Sequence, residues 1–125
     1  MNICLDSWAV LNWLEDGPSA SAVEKTIPSR PVISLVNVCE VLYILSRKHG
    51  DKAIQHVLPA LRQNLAFIEV DEELTLSASR IKAAHKMALG DAFCVATALA
   101  NNAKILTGDP EIINAKGNWK VQDLR

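Results

Sequence analysis

Short apolar runs of strand length recur along this chain, each separated from the next by a stretch of helical hydrophobic period, and that alternation leaves few architectures open. Met1 to Leu5 is the first run, and it feeds a helix through Trp8, Val10, Leu11, Trp13 and Leu14 that Gly17-Pro18 stops. A second amphipathic helix covers Ser19 to Thr26, and the prolines at 28 and 31 break the chain before the extended pair Val32-Ile33. Ser34 caps a long helix to Lys48 that closes at Gly50. The helix from Asp51 carries Ile54, Val57, Leu58 and Leu61, with Pro59 expected to kink it, and the alternating run Ala66 to Val70 is the next strand. Asp71-Glu72-Glu73 place negative charge at the start of a helix whose apolar face, Leu74, Ala78, Ile81, Ala84 and Ala88, ends near Gly90. Asp91 opens an Ala-rich helix to about Asn102; Lys104 to Thr107 and Trp119 to Val121 read as the last strands. Strands alternating with helices predict an α/β domain built on a mainly parallel sheet.

The 125 residues suit one domain, 1–125, and 50% hydrophobic with 22% charged residues excludes a disordered or fibrous chain. Thirteen Lys+Arg balance fourteen Asp+Glu. Any nucleic-acid partner must therefore be held by a local basic surface or through bound metal ions, not by global charge. Cys4, Cys39 and Cys94 are odd in number and set among apolar neighbours, as small core residues in a reducing cytoplasm are. No run is long enough for a membrane span, no basic segment precedes the first apolar run, and the common zinc signatures CxxC and HExxH are missing.

Four acids stand where acids are unusual. Asp6 is the only charge from Met1 to Leu14, Glu40 the only one between Ser34 and Ser46, Asp91 the only one between Lys86 and Lys104, and Asp109 follows the late strand. A carboxylate in apolar surroundings has to be hydrogen-bonded, paired or metal-bound. Taken singly, Asp6, Asp91 and Asp109 read equally well as helix caps. Glu40 does not, because it lies about six residues into its helix, beyond the free amides, with no cation three or four positions away.

All four can meet. Asp6 ends the first strand, Asp109 follows the Lys104 to Thr107 strand, and the helices of Glu40 and Asp91 start toward the same carboxyl edge, where open parallel sheets bind ligands. Clustered carboxylates raise one another's pKa unless a cation joins them. An oxygen-only set suits Mg²⁺ or Mn²⁺, and the three histidines, His49, His56 and His85, fall on polar or basic stretches that suit the surface. Carboxylates around one or two such ions are a phosphodiester-cutting arrangement.

The anchors Ile3-Cys4-Leu5-Asp6-Ser7, Ser34 through Asn37 to Glu40, Gly90-Asp91-Ala92 with Ala96-Thr97-Ala98, and Ile105-Leu106-Thr107-Gly108-Asp109-Pro110 resemble, in order and over essentially the whole chain, the PIN-domain ribonucleases. Within that family the likeness is to the VapC-like toxins of bacterial toxin–antitoxin pairs. The resemblance implies a three-layer α/β/α domain and a Mg²⁺- or Mn²⁺-dependent endoribonuclease that leaves 5′-phosphate and 3′-hydroxyl ends. It also implies a homodimer and a VapB-like antitoxin covering the site. Carried over by position, Asp6, Glu40 and Asp91 bind metal, Asp109 holds a second ion or the attacking water, and Thr107 and Ser7 are supporting hydroxyls. Ile112 departs from the family, many of whose members have an aromatic residue there. Arg47, Lys48, Lys82 and Lys86 are candidates for a basic rim that steers RNA, although the one-turn spacing of Lys82 and Lys86 also suits an ordinary solvated helix face.

Rival chemistries fail on named residues. A receiver domain needs an acidic pair after the first strand, a haloacid-dehalogenase-type phosphatase needs an acid where Trp8 stands, and a dinucleotide site needs glycines where Ser7-Trp8-Ala9 stand. A housekeeping PIN nuclease of RNA processing and an inactive PIN-like binding module stay open.

Overall fold

The computed structural model describes residues 2–125, so the strand start expected at Met1 lies outside the described residues. Its strands are β1 (Asn2–Leu5), β2 (Val32–Ser34), β3 (Ala66–Ile68), β4 (Ala103–Thr107) and β5 (Val121–Asp123). They form one sheet in the order β3-β2-β1-β4-β5, and every pairing is parallel. The helices are α1 (Ser7–Leu14), α2 (Ala20–Glu24), α3 (Leu35–His49), α4 (Asp51–Asn64), α5 (Glu72–Ala84), α6 (Leu89–Ala100) and α7 (Pro110–Ile113), with a 3₁₀ turn at Ile27–Ser29.

Successive strand residues point to opposite faces, so a sheet buried on both sides needs apolar residues at consecutive positions. β1 and β4 show this. Leu5 and Leu106 join Val10, Val23, Val41 and Leu61 in a core contributed by α1 to α4, while Cys4 and Ile105 join Val95, Ala98 and Ile112 in a second core under α6 and α7. Leu74 and Ala78 then pack α5 onto Ala96 of α6. The three-layer α/β/α expectation is met, and Ile112, fully buried, fills its place in the second core without an aromatic ring. No helix among the described residues is long and apolar enough to cross a membrane.

Several local expectations need correction. The helix expected to run to Gly90 stops at Ala84, because His85 is extended and its half-buried ring meets the edge of Trp119 at 5.0 Å, while Met87 is drawn into the second core. His85 is thus no plain surface residue. Ala88 is the N-cap of α6 and Asp91 lies in its first turn. The last strand starts at Val121, with Trp119 packed against the second core instead of pairing in the sheet. Cys39 is exposed, since it sits one position past Val38 and so turns about 100° off the buried face of α3. Pro59 is accommodated inside α4, which continues to Asn64.

Candidate metal centre

Strand order reverses beside β1: the chain moves outward through β2 and β3, then returns to lay β4 on the other side of β1. Crevices at such reversals, beyond the carboxyl ends of the strands, are where open parallel sheets bind ligands. Asp6 follows β1 directly, and Leu5 is in register with Leu106, which sets Asp6 opposite Thr107. The buried Thr107 hydroxyl donates to Asp6 Oδ2 and accepts from the Asp109 backbone N–H at 2.9 Å. One side chain therefore fixes both the acid after β1 and the turn that carries the acid after β4.

The other two acids arrive on helices. α3 leaves β2 at the carboxyl edge; α6 precedes β4 and runs against it, which returns its first turn to the same edge. Asn37, 1% exposed, joins the two helices: its Nδ2 donates to Glu40 Oε1 at 2.8 Å and to the Gly90 carbonyl at 3.0 Å. Gly90 lies against the Glu40 carboxylate so closely that a Cβ there would fall 2.3 Å from Oε2. A side chain of any size at position 90 would move that carboxylate.

Two of the four acids do cap helices. Asp6 Oδ1 accepts from Ala9 N–H at 2.8 Å and caps α1; Asp109 Oδ1 accepts from Glu111 N–H at 2.9 Å and caps α7. Asp91 caps nothing. It is buried, and its Oδ2 has no hydrogen-bond partner. Asn37 Oδ1 is likewise buried and unpaired.

The sequence reasoning overlooked Glu111. Carboxylate oxygens of Asp91, Asp109 and Glu111 all lie within 4.8 Å of one another. Glu111 is exposed and stands two residues from another acid, so a search for isolated acids passes over it; its place in the first turn of α7, beside a candidate site acid, was the available signal.

The electrostatics follow from this crowding. The Asp6 carboxyl is pushed up to about 7: burial raises it most, the hydrogen bonds from Thr107 and Ala9 oppose that, and the charges of Asp109 and Glu40 add to it. Burial, the charge of Asp109 and the close oxygens of Glu111 and Asp109 push Asp91 up to about 8. Asp6 thus feels the charges of Asp109 and Glu40, and Asp91 those of Asp109 and Glu111, while none of these acids is in an ion pair with a basic side chain among the described residues. The grouped carboxylate oxygens of Asp91, Asp109 and Glu111, one of them buried and unpartnered, with no imidazole or thiolate among them, form a donor set that fits a hard divalent cation.

The remaining candidates are spread out. Ser7 is half-buried at the first position of α1. Arg47 and Lys48 are in the last turn of α3, where Lys48 Nζ meets Glu15 Oε1 at 3.2 Å. Lys82 is exposed in the last turn of α5, and Lys86, in the connection to α6, lines a cleft with Pro110 and Glu111. Lys86 thus shares a cleft with Glu111, a member of the acid cluster.

A family model described as PIN domain matches residues 3–118. Comparison with curated proteins finds no match. Among solved structures, the chain is similar to a toxin–antitoxin complex from Klebsiella pneumoniae, with 18% identity, a TM-score of 0.80 and coverage of 100% of this chain and 98% of that one. A DNA-bound VapBC from Salmonella typhimurium is similar at 13% identity and a TM-score of 0.80, covering 100% and 99%. A VapC toxin of Mycobacterium tuberculosis described as cleaving the sarcin-ricin loop is similar at 15% identity and a TM-score of 0.72, covering 94% and 97%. At these identities the likeness is one of fold.

Proposed function

The chain belongs to the PIN-domain family, a nuclease family, and on that premise we propose that it is a Mg²⁺- or Mn²⁺-dependent endoribonuclease, the toxin of a VapBC-like pair. The carrying observation is the buried, unpartnered Asp91 Oδ2 in a group of three carboxylates with no basic side chain in ion-pair contact. Such a group relaxes only by taking up protons or a cation.

In this reading Asp6, Glu40, Asp91 and Asp109 hold the metal, with Glu111 as a further oxygen donor. A divalent ion held there would supply Lewis acidity to the scissile phosphate and lower the pKa of water so that hydroxide is available as the nucleophile. The protein's own residues set the geometry. Thr107 orients Asp6 and the Asp109 turn, Asn37 holds Glu40, and Gly90 leaves Glu40 room. Asp6 and Asp91, whose raised pKa values leave them partly protonated near neutral pH, would have to give up those protons to bind such an ion. The cut leaves 5′-phosphate and 3′-hydroxyl ends.

Arg47 and Lys86 are the better-placed steering cations, since Lys48 is engaged with Glu15. The toxin–antitoxin and VapBC complexes among the similar structures support a VapB-like antitoxin as the partner, and the sarcin-ricin loop cleaver supports RNA as the substrate. The same reading takes the protein as a single-domain, cytoplasmic homodimer. It is tested by incubating purified protein with a mixed structured-RNA pool in Mg²⁺ or Mn²⁺, in EDTA, and as Asp91→Asn. Metal-dependent cutting lost in the variant is expected; inert wild type, not stabilised by either ion, would leave the binding-module reading instead.

A further inference from the structure

One turn beyond Glu40 on α3, Tyr43 faces solvent with 45% of its surface exposed. The guanidinium carbon of Arg47 stands 5.1 Å from the centre of its ring. At about 100° per residue, Glu40, Tyr43 and Arg47 fall within about 60° of one another around the helix. They lie on the side away from Val38, Val41 and Leu45, which are buried and hold α3 to the sheet. Helical side chains lean toward the N-terminus, so the Tyr43 ring covers the surface toward the turn that carries Glu40.

Neither member of this pair is claimed by the fold. Lys48 and His49 both face Glu15, whereas Arg47 is in no ion pair among the described residues. The other cation-on-ring pair, Arg62 over Phe67 at 5.2 Å, is different in kind, because Phe67 is half-buried against the first core. Tyr43 is an open ring stiffened by a cation, one helical turn beyond Glu40.

We propose that Tyr43, steadied by Arg47, is a stacking platform for one unpaired base of the RNA strand whose phosphate enters the acid cluster. This rests on the endoribonuclease reading and narrows it to RNA that is single-stranded or looped at the cut, since a base inside a duplex has no free face to offer. Stacking on an aromatic ring tolerates any base, which places the platform in positioning and not in sequence readout. The charge of Arg47, in no ion pair among the described residues and on the same side of α3 as Glu40, also meets a need of the site: the acids repel phosphate, and the strand has to be held by cations along its path. A protein could cover the same strip, but the contiguity of ring, free cation and Glu40 favours the nucleic acid.

The test is the affinity of a labelled single-stranded RNA in Mg²⁺, measured on the Asp91→Asn background so that nothing is cut, with Tyr43→Ala, Tyr43→Phe and Tyr43→Trp added. It is followed by steady-state cleavage with the same Tyr43 variants on the wild-type background. Tyr43→Ala weakens binding about fivefold to a hundredfold and raises KM more than it lowers kcat, while Phe and Trp restore both. The loss vanishes when one nucleotide near the cut is made abasic, because there is then no base to stack. A loss that persists at every abasic position would make the role of Tyr43 structural and overturn the inference. Cutting by Tyr43→Ala indistinguishable from an active wild type would also overturn it, leaving the nuclease intact and the strip to a protein partner. Wild type that neither binds nor cuts RNA with either ion would be the failure of the nuclease reading itself, and the platform would fall with it.

Discussion

The Glu40 carboxylate occupies the space where a Cβ of residue 90 would be, with Oε2 2.3 Å from that position. Gly90 lies in the first turn of α6, a place where alanine is intrinsically the better helix former by roughly 0.5–1 kcal/mol. The clash falls on the far end of a flexible side chain, so an added methyl moves Glu40 more than it strains the backbone.

Gly90→Ala should therefore separate stability from activity. Its melting temperature is expected to equal or exceed that of the wild type, while metal-dependent cleavage falls on the order of tenfold or more, the scale set by a misplacement of about 1 Å at a reacting centre. Thermal melts beside initial cleavage rates check this. A variant of undiminished activity would mean that Glu40 need not stand where it does.

Thr107 offers the complementary case, in which one hydroxyl serves two acids. Thr107→Val keeps the shape and removes both the donor to Asp6 and the acceptor for the Asp109 N–H. A loss of about 1–3 kcal/mol in denaturant-derived stability is expected, together with reduced cleavage. Thr107→Ser should recover most of both, and a fully stable, fully active valine variant would show that the bridge is dispensable.

The pH dependence of the metal-free protein has a definite sign. Asp6 and Asp91 titrate at about 7 and about 8 when folded, above the ordinary aspartate value near 4, so between these limits the native state binds more protons than the unfolded one. Their contribution to stability is full below about pH 4 and is lost as pH rises through about 7 to 8. Melting in EDTA should fall across that window, and Mg²⁺ or Mn²⁺ should restore it more at pH 8 than at pH 5, where protons compete with the ion. Asp91→Asn should flatten the slope; a slope that is unchanged would place the titration elsewhere.

Glu111 is expected to matter for the metal more than for the fold. It is exposed, its Oε1 accepts from Ala88 N–H at 3.3 Å, and its carboxylate borders Asp91 and Asp109. Glu111→Gln should weaken Mn²⁺ binding on the order of tenfold in a calorimetric titration, with little change in melting temperature. Equal affinity would remove Glu111 from the donor set.

The sheet was legible because parallel strands buried on both faces must be short apolar runs, and the runs ending at Leu5, Ile33, Val70 and Thr107 are of that kind, although β3 stops at Ile68, two residues short of the expected end. Asp6, Glu40, Asp91 and Asp109 stood out for a related reason, since an isolated acid in an apolar run has few structural explanations; the structure groups Asp91 and Asp109 with Glu111, ties Asp6 to the Asp109 turn through Thr107, and sets Glu40 against Gly90. What escaped was set by contacts between distant segments. Gly90 reads locally as a helix stop, and only the approach of Glu40 from α3 shows why glycine stands inside α6. Asn37 appeared only as part of a motif, although it bridges Glu40 and the Gly90 carbonyl across 53 residues of sequence. Glu111 was hidden by its acidic neighbour, and Trp119, strand-like by composition, prefers the second core and the ring of His85.

Anomalous diffraction from crystals grown with Mn²⁺ tests the central claim most directly, since it locates the ion without reference to activity. The account predicts a peak bounded by Asp91, Asp109 and the Asp6 and Glu40 side of the crevice, and its loss in Asp91→Asn. Crystals saturated with Mn²⁺ that show no peak there, or show it only at surface acids such as Glu72 and Glu73, would contradict the metal centre and with it the metal-dependent nuclease.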